Sequence, residues 1–169
     1  MNNVDIIDNA LSDKECDFLI KECTPQIKDS LKAPWNYSYL DIESELVNRL
    51  SKKLVDGYVK KYPEINLTSD KWSVEGFTFK KFKPGSFYNV FHSEQTIKDA
   101  RVLSILVYLS NHNCGTEFYN GFVVQSVKGR AMVFPPYWTH THKGQPCPDN
   151  KPRYILSAYA TFDKKDEDN

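Results

Sequence analysis

From Trp72 to Phe162 the apolar residues recur mainly with period two, and no helical periodicity interrupts them. Parallel neighbours need a crossover of a dozen or more residues, usually a helix, so a strand-dense stretch without one predicts antiparallel sheets. Trp72 and Val74 alternate with polar residues, Gly76 breaks the phase, and Phe77 and Phe79 resume on a new one, which predicts a bulge. Pro84-Gly85 is a turn signal, and a strand is expected over Phe87 to Glu94. Val102 to Leu109 is apolar on both faces, as a central strand is, and a Gly-Thr-Glu-Phe turn is expected at Gly115 to Phe118. Phe122 to Val127 and Ala131 to Phe134, joined through Lys128-Gly129-Arg130, predict a hairpin, and Tyr154 to Phe162 a final strand. Six or more such strands close as a double-sheet jelly roll.

Residues 1–70 follow another rhythm. Val4 to Ile7 predicts an edge strand. Ser12 and Glu15 then form a capping box, ahead of Cys16, Leu19, Ile20 and Cys23 on one helical stripe. Both cysteines on that stripe are expected in the core. Thr24 to Leu40 predicts a connection in which Trp35, Tyr37 and Tyr39 alternate as a short extra strand. A second helix is expected from Asp41, with Val47, Leu50, Leu54 and Tyr58 on one face, solvated lysines on the other, and Pro63 ending it. The fold class is thus mainly β with N-terminal helices. It is one domain: a helical buttress over 1–70, a jelly-roll core over 71–162, and a polar tail over 163–169 too charged to pack.

Charge balances at 22 basic against 22 acidic residues, which excludes a global footprint for nucleic acid or anionic membrane. Cys16, Cys23, Cys114 and Cys147 show no C-x-x-C pair or disulfide-like framework, so they are expected to be reduced thiols. Asp5 and Asp8 stand where a signal peptide would be basic, and no apolar run is long enough for a membrane span. A soluble, cytoplasmic protein is the expectation.

The chemistry-bearing residues fall in the strand-dense half. In a strand, His92 and Glu94 of His92-Ser93-Glu94 would project an imidazole and a carboxylate to one face. Another imidazole from His140-Thr141-His142 would complete two histidines and one carboxylate. That set caps one face of an octahedral ion and leaves the other positions open, as in non-haem Fe(II) sites.

Around these residues stand further landmarks in order. Lys83-Pro84-Gly85-Ser86-Phe87-Tyr88 leads into Phe91-His92-Ser93-Glu94, and Arg101 precedes Tyr108-Leu109-Ser110. Gly115-Thr116-Glu117-Phe118 follows, then Val127-Lys128-Gly129 before Val133-Phe134-Pro135, and His142-Lys143-Gly144-Gln145-Pro146 before Arg153-Tyr154. Over about its C-terminal half the chain resembles the 2-oxoglutarate/Fe(II)-dependent oxygenases, closest to the prolyl-4-hydroxylase-like branch and its small phage and bacterial members.

The resemblance implies a double-stranded β-helix with His92, Glu94 and His142 on the metal. His142 is preferred to His140 because Gly144 and Pro146 follow it with the family's spacing; His140 becomes a supporting or substrate-side group. Arg153, where the family carries a cation before an aromatic residue, is assigned to the distal carboxylate of 2-oxoglutarate, which a guanidinium meets in a two-bond fork. Ser157 shares its strand parity and can add a hydroxyl. Where family members often have Tyr this chain has Phe82, so Tyr88 or Tyr108 is expected to supply that hydroxyl. Two further departures are Glu94 in place of Asp and Cys114-Gly115 in place of a glycine pair.

The implied cofactors are Fe(II), 2-oxoglutarate as co-substrate and O2, with ascorbate as a candidate reductant. The implied reaction is hydroxylation of a C–H bond, first of all on a protein or peptide side chain such as proline. The alternatives are a small molecule or a nucleobase, the latter served by a local rim of Lys80, Lys81, Lys83, Lys128 and Arg130, or a non-catalytic jelly-roll binding or virion module. Three of the four histidines lying in the ligand motifs weigh against the last. For a phage-type protein the compartment is the host cytoplasm.

Overall fold

The structure is a computed structural model describing residues 1–27, 37–68, 71–95 and 100–162. The expected positions of Trp35 and of the tail from Asp163 lie outside these. The described strands are β1 (Asp5–Ile7), β2 (Tyr37–Ile42), β3 (Trp72–Val74), β4 (Phe77–Phe82), β5 (Arg101–Tyr108), β6 (Gly115–Phe118), β7 (Val123–Gln125), β8 (Ala131–Phe134), β9 (His142–Gly144) and β10 (Arg153–Phe162). The helices are α1 (Asp13–Cys23) and α2 (Glu45–Lys61). One sheet runs β1-β8-β5-β10-β4-β2, with β3 also on β10; a second runs β7-β6-β9. The strand pairings are antiparallel, giving the expected two-sheet jelly roll.

Helix α1 starts as its sequence predicts: Glu15 N–H donates to Ser12 Oγ, and Ser12 N–H donates back to the Glu15 carboxylate at 2.8 Å. Cys16, Leu19 and Cys23 of α1, with Val47, Leu50, Leu54 and Tyr58 of α2, are buried against one face of the large sheet. Leu103, Ile105 and Val107 of β5 and Leu156, Ala158 and Ala160 of β10 point to that helical layer. The residues between them point the other way, toward the small sheet, where Phe82, Tyr108, Phe118, Phe134 and Ile155 form a second core. The two-residue period of a strand thus sends alternate side chains to two different interiors. Leu103 is fully buried, and Leu103→Ala is expected to lower unfolding free energy by about 2–5 kcal/mol in urea denaturation; a loss below about 1 kcal/mol would mean the layer repacks freely.

Several expectations hold. β1 is an edge strand, β5 lies between β8 and β10, and three residues, Glu75–Phe77, stand opposite two, Ala158 and Tyr159, which is the bulge. Others need correction. Residues Phe87–Glu94 form no strand; His92 makes a single bridge to His142, because the segment leaves the large sheet and meets only the short β9. The 115–118 turn is strand β6, paired on both sides. Asp41 and Ile42 belong to β2, and α2 starts at Glu45 beneath its cap Ser44.

The predicted hairpin is absent, since β7 pairs in the small sheet and β8 in the large one. The turn between them bonds instead to the end of β5 and to residues 10–11, through Gly129 N–H to Tyr108 C=O and Ala10 N–H to Gly129 C=O. Gly129 has φ +79°, and a Cβ there would stand 2.3 Å from the Leu11 carbonyl oxygen, so only glycine fits. Cys114 and Cys147 form a disulfide, against the expectation of four thiols; 33 residues separate them, and only the fold brings them together. Cys16 and Cys23 are free and buried as expected, and burial pushes the Cys16 thiol up to about 11. Among the described residues no helix is long and apolar enough to cross a membrane.

Candidate functional site

Between the two sheets lies a cavity of about 230 Å³. Its floor comes from the faces of the large sheet turned away from the helices: Lys80 and Phe82 on β4, Leu106 and Tyr108 on β5, and Arg153, Ile155, Ser157 and Tyr159 on β10. The register sets Phe82 opposite Arg153 and Tyr108 opposite Ile155. The opposite wall includes Thr116 of β6 and His142 and Gly144 of β9, and His92 and Glu94 close one end.

His92 and Glu94 reach the cavity without a strand to carry them. His92 N–H donates to the His142 carbonyl and His142 N–H to the His92 carbonyl, each at 3.0 Å, while Glu94 N–H donates to the Pro136 carbonyl. The ligand atoms of His92, Glu94 and His142 lie within 4.8 Å of one another. Glu94 Oε1 is 3.3 Å from His92 Nε2 and 3.9 Å from His142 Nε2. His92 Nδ1 is 2.9 Å from the Val90 carbonyl and His142 Nδ1 3.0 Å from the His140 carbonyl, so each ring donates from Nδ1 and turns Nε2 inward. Burial, with the neighbouring His92 charge, lowers His142 to about 4, which keeps it a neutral donor. Burial alone would raise the Glu94 carboxyl, but the hydrogen bond and charge of His92 and the Tyr159 hydroxyl hold it at about 2. Two imidazoles and one carboxylate fit a first-row divalent ion and leave part of its coordination open.

The fourth group is a cation. Arg153 is 5% exposed, its Nη1 donates to Cys114 Sγ at 3.3 Å, and its guanidinium lies over the Phe82 ring at 4.8 Å. Its Nε has no hydrogen-bond partner, and among the described residues no carboxylate pairs with it. Burial lowers its pKa while nearby Tyr108 raises it. A buried guanidinium without an anion is costly, and a planar carboxylate is the group its fork matches. Gly144 permits the approach, for a Cβ there would lie 3.3 Å from Arg153 Nη2 and 3.1 Å from Tyr88 N.

Tyr88, Tyr108 and Ser157 all line this cavity. The Tyr108 hydroxyl is already engaged, 2.7 Å from Thr116 Oγ1 and 3.1 Å from the Val124 carbonyl, and burial pushes it up to about 12. The Tyr88 ring stacks 4.2 Å from that of His92. Two tyrosines that line the cavity had no role in the sequence analysis. Tyr159 donates its hydroxyl to Glu94 Oε2 at 2.8 Å, and the Arg101 guanidinium stacks on its ring at 3.7 Å while pairing with Glu75. Its parity with Arg153 and Ser157 was the available signal. Tyr37, opposite Phe82 on β2, had no such signal, because its strand belongs to the half assigned no chemistry.

No protein-family model matches the chain, and a search of curated protein sequences finds no relative. Solved structures do match. A viral collagen prolyl hydroxylase from Paramecium bursaria Chlorella virus-1, solved as its 2OG complex, is 21% identical with a TM-score of 0.74, covering 96% of this chain and 97% of that one. A Pseudomonas putida prolyl-4-hydroxylase is 17% identical with a TM-score of 0.70, covering 96% and 94%. A Trichoplax adhaerens prolyl hydroxylase, in complex with a hypoxia inducible factor oxygen degradation domain peptide fragment, is 15% identical with a TM-score of 0.69, covering 96% and 84%. The chain has the prolyl-hydroxylase fold.

Within this prolyl-hydroxylase fold His140 does not share a strand face with His142. It ends a 3-10 turn, Trp138–His140, and its ring is turned away from the ligand cluster, with Nε2 3.0 Å from the Asn2 carbonyl and Nδ1 2.9 Å from Thr139 Oγ1. The expected basic rim is partly neutralised: Lys128 pairs with Asp17 and Arg130 with Asp8.

Proposed function

We propose that the chain is an Fe(II)- and 2-oxoglutarate-dependent dioxygenase that hydroxylates a C–H bond on a protein or peptide side chain, proline first. The observation that carries this reading is the convergence of the His92, Glu94 and His142 donors with the unpaired guanidinium of Arg153 on one cavity. Bound there, iron, 2-oxoglutarate and O2 supply an oxidative decarboxylation that yields succinate and CO2 and delivers one oxygen atom to the C–H bond.

The chain's own part is to bind, orient and exclude water. His92 and His142 hold the metal through Nε2 and Glu94 through Oε1, their Nδ1–H groups being fixed by backbone carbonyls. Arg153 takes the distal carboxylate of the co-substrate, with the hydroxyls of Ser157, Tyr88 and Tyr108 as its polar neighbours. Phe82, Leu106 and Ile155 keep the intervening wall apolar, which strengthens the charged contacts inside. The cavity has room for a small co-substrate and little else, so a larger substrate must be read at the rim. There Tyr119, 76% exposed, meets Phe91 edge-on next to His92. Exposed rings of this kind suit an extended, proline-bearing peptide, and the pairing of Lys128 with Asp17 and Arg130 with Asp8 removes part of the basic rim that a nucleic acid would need.

The test incubates the protein with Fe(II), 2-oxoglutarate and proline-containing peptides, measuring succinate and, by mass spectrometry, the gain of one oxygen atom. Iron-bound protein that forms no succinate with or without peptide would overturn the proposal. One residue is expected to separate positioning from chemistry. Tyr159→Phe removes the hydroxyl that holds Glu94 Oε2, and metal affinity should fall about 10- to 100-fold in a Co(II) titration. The co-substrate requirement of the metal-saturated variant should stay unchanged. Equal Co(II) affinity in variant and parent would remove Tyr159 from the metal's support.

A further inference from the structure

Next to Arg153, whose Nη1 contacts Cys114 Sγ, a second set of donors converges on the Cys114–Cys147 disulfide. The ligand atoms of His112, Cys147 and Asp149 lie within 4.8 Å of one another. His112 Nδ1 is 3.5 Å from Asp149 Oδ2, and Cys147 Sγ is 3.8 Å from the same oxygen. Bonds of about 2.0–2.3 Å to a tetrahedral zinc ion place its ligands roughly 3.3–3.8 Å apart, so two edges of a tetrahedron already have their length. The His112 side chain is 0% exposed, and its Nδ1 is a buried polar atom with no hydrogen-bond partner. Its Nε2 is 3.0 Å from Ser110 Oγ, and a ring donating there presents a bare Nδ1 lone pair to the cluster. Asp149 is held in place by the N–H and side-chain amide of Asn113, at 2.5 and 2.9 Å.

We propose that when Cys114 and Cys147 are reduced, they join His112 and Asp149 as a structural zinc site. The pattern is two i, i+2 pairs, His112-x-Cys114 and Cys147-x-Asp149, on segments that the fold crosses. Reduction adds two electrons and two protons to the S–S bond and gives two thiols, the electrons coming from a dithiol that becomes its own disulfide. Zinc then displaces the two thiol protons and binds both thiolates, the Asp149 carboxylate and neutral His112. The disulfide and the metal are alternative staples for one junction. Each ties the start of β6 to the loop carrying Cys147, and so holds the sulfur that Arg153 Nη1 contacts. A chain folded in a reducing compartment keeps that junction by the metal, and one folded under oxidising conditions keeps it by the bond.

Cobalt is the probe, because the His92, Glu94 and His142 cluster contains no sulfur. The full chain, reduced with a phosphine that does not bind metal, is titrated with Co(II). It should develop intense thiolate-to-cobalt charge transfer and tetrahedral visible bands, both bleached by equimolar Zn(II). The oxidised chain should show neither. Cys147→Ser should roughly halve the charge-transfer intensity, the Cys114→Ser/Cys147→Ser double variant should abolish it, His112→Gln should weaken Co(II) binding at least tenfold, and Cys16→Ala should leave it unchanged. Zn(II) should also raise the unfolding temperature of the reduced chain by more than it raises that of the oxidised chain, in which only the His92, Glu94 and His142 cluster can take the ion. A reduced chain without the bands, or bands that survive in the Cys114→Ser/Cys147→Ser double variant, would overturn the site while leaving the oxygenase reading untouched.

Discussion

His142→Ala is expected to abolish iron binding and 2-oxoglutarate turnover together, whereas His140→Ala should keep the metal. The His142 ring is buried, its Nδ1 is fixed on the His140 carbonyl, and its Nε2 faces Glu94 Oε1. Losing it leaves two donors, too few to hold a weakly bound first-row ion. The His140 ring faces Asn2 and Thr139, and what it lends to the site is a backbone carbonyl that alanine retains. Atomic emission on anaerobically loaded protein gives metal content, and succinate formation gives turnover. The reverse pattern, with iron lost in His140→Ala and kept in His142→Ala, would move the ligand and with it the placement of the co-substrate.

Arg153→Ala is expected to raise the 2-oxoglutarate concentration for half-maximal turnover about 30-fold to several thousand-fold, with metal affinity nearly intact. A charged, fully desolvated hydrogen bond lost from one side costs about 2–5 kcal/mol, and each 1.4 kcal/mol is about tenfold. The metal is spared because Arg153 contacts Cys114, Phe82 and the glycine edge of β9, not the ligands. Arg153→Lys should fall between the two, since it keeps the charge and loses the fork. Succinate formation across a 2-oxoglutarate series, beside a Co(II) titration, checks both halves. Unchanged half-saturation in Arg153→Ala would pass the role to Lys80, the other cation lining the cavity among the described residues.

What the sequence by itself determined is local. The capping box of α1, the buried stripes of both helices, the bulge near Gly76 and the final strand depend on neighbours within one turn or one pleat, and they lie where the periodicity predicted. Strand parity also carried Arg153 and Ser157 correctly to one face, because alternation survives whatever the partner strand is. The family landmarks brought out His92, Glu94 and His142, although the first two sit on an irregular segment rather than the expected strand.

What only the tertiary structure decided is who stands across from whom. Two adjacent apolar strands look like a hairpin until Gly129 is seen to anchor their turn on Leu11 and Tyr108, which sends β7 and β8 to different sheets. Cys114 meets Cys147, and Tyr159 meets Glu94 across 65 residues of chain. No residue pattern near Tyr37 announces that it will face Phe82. Such pairings are set by loop closure and by burial summed over the whole core, so they follow from the free energy of the assembled fold and not from the period of any one segment.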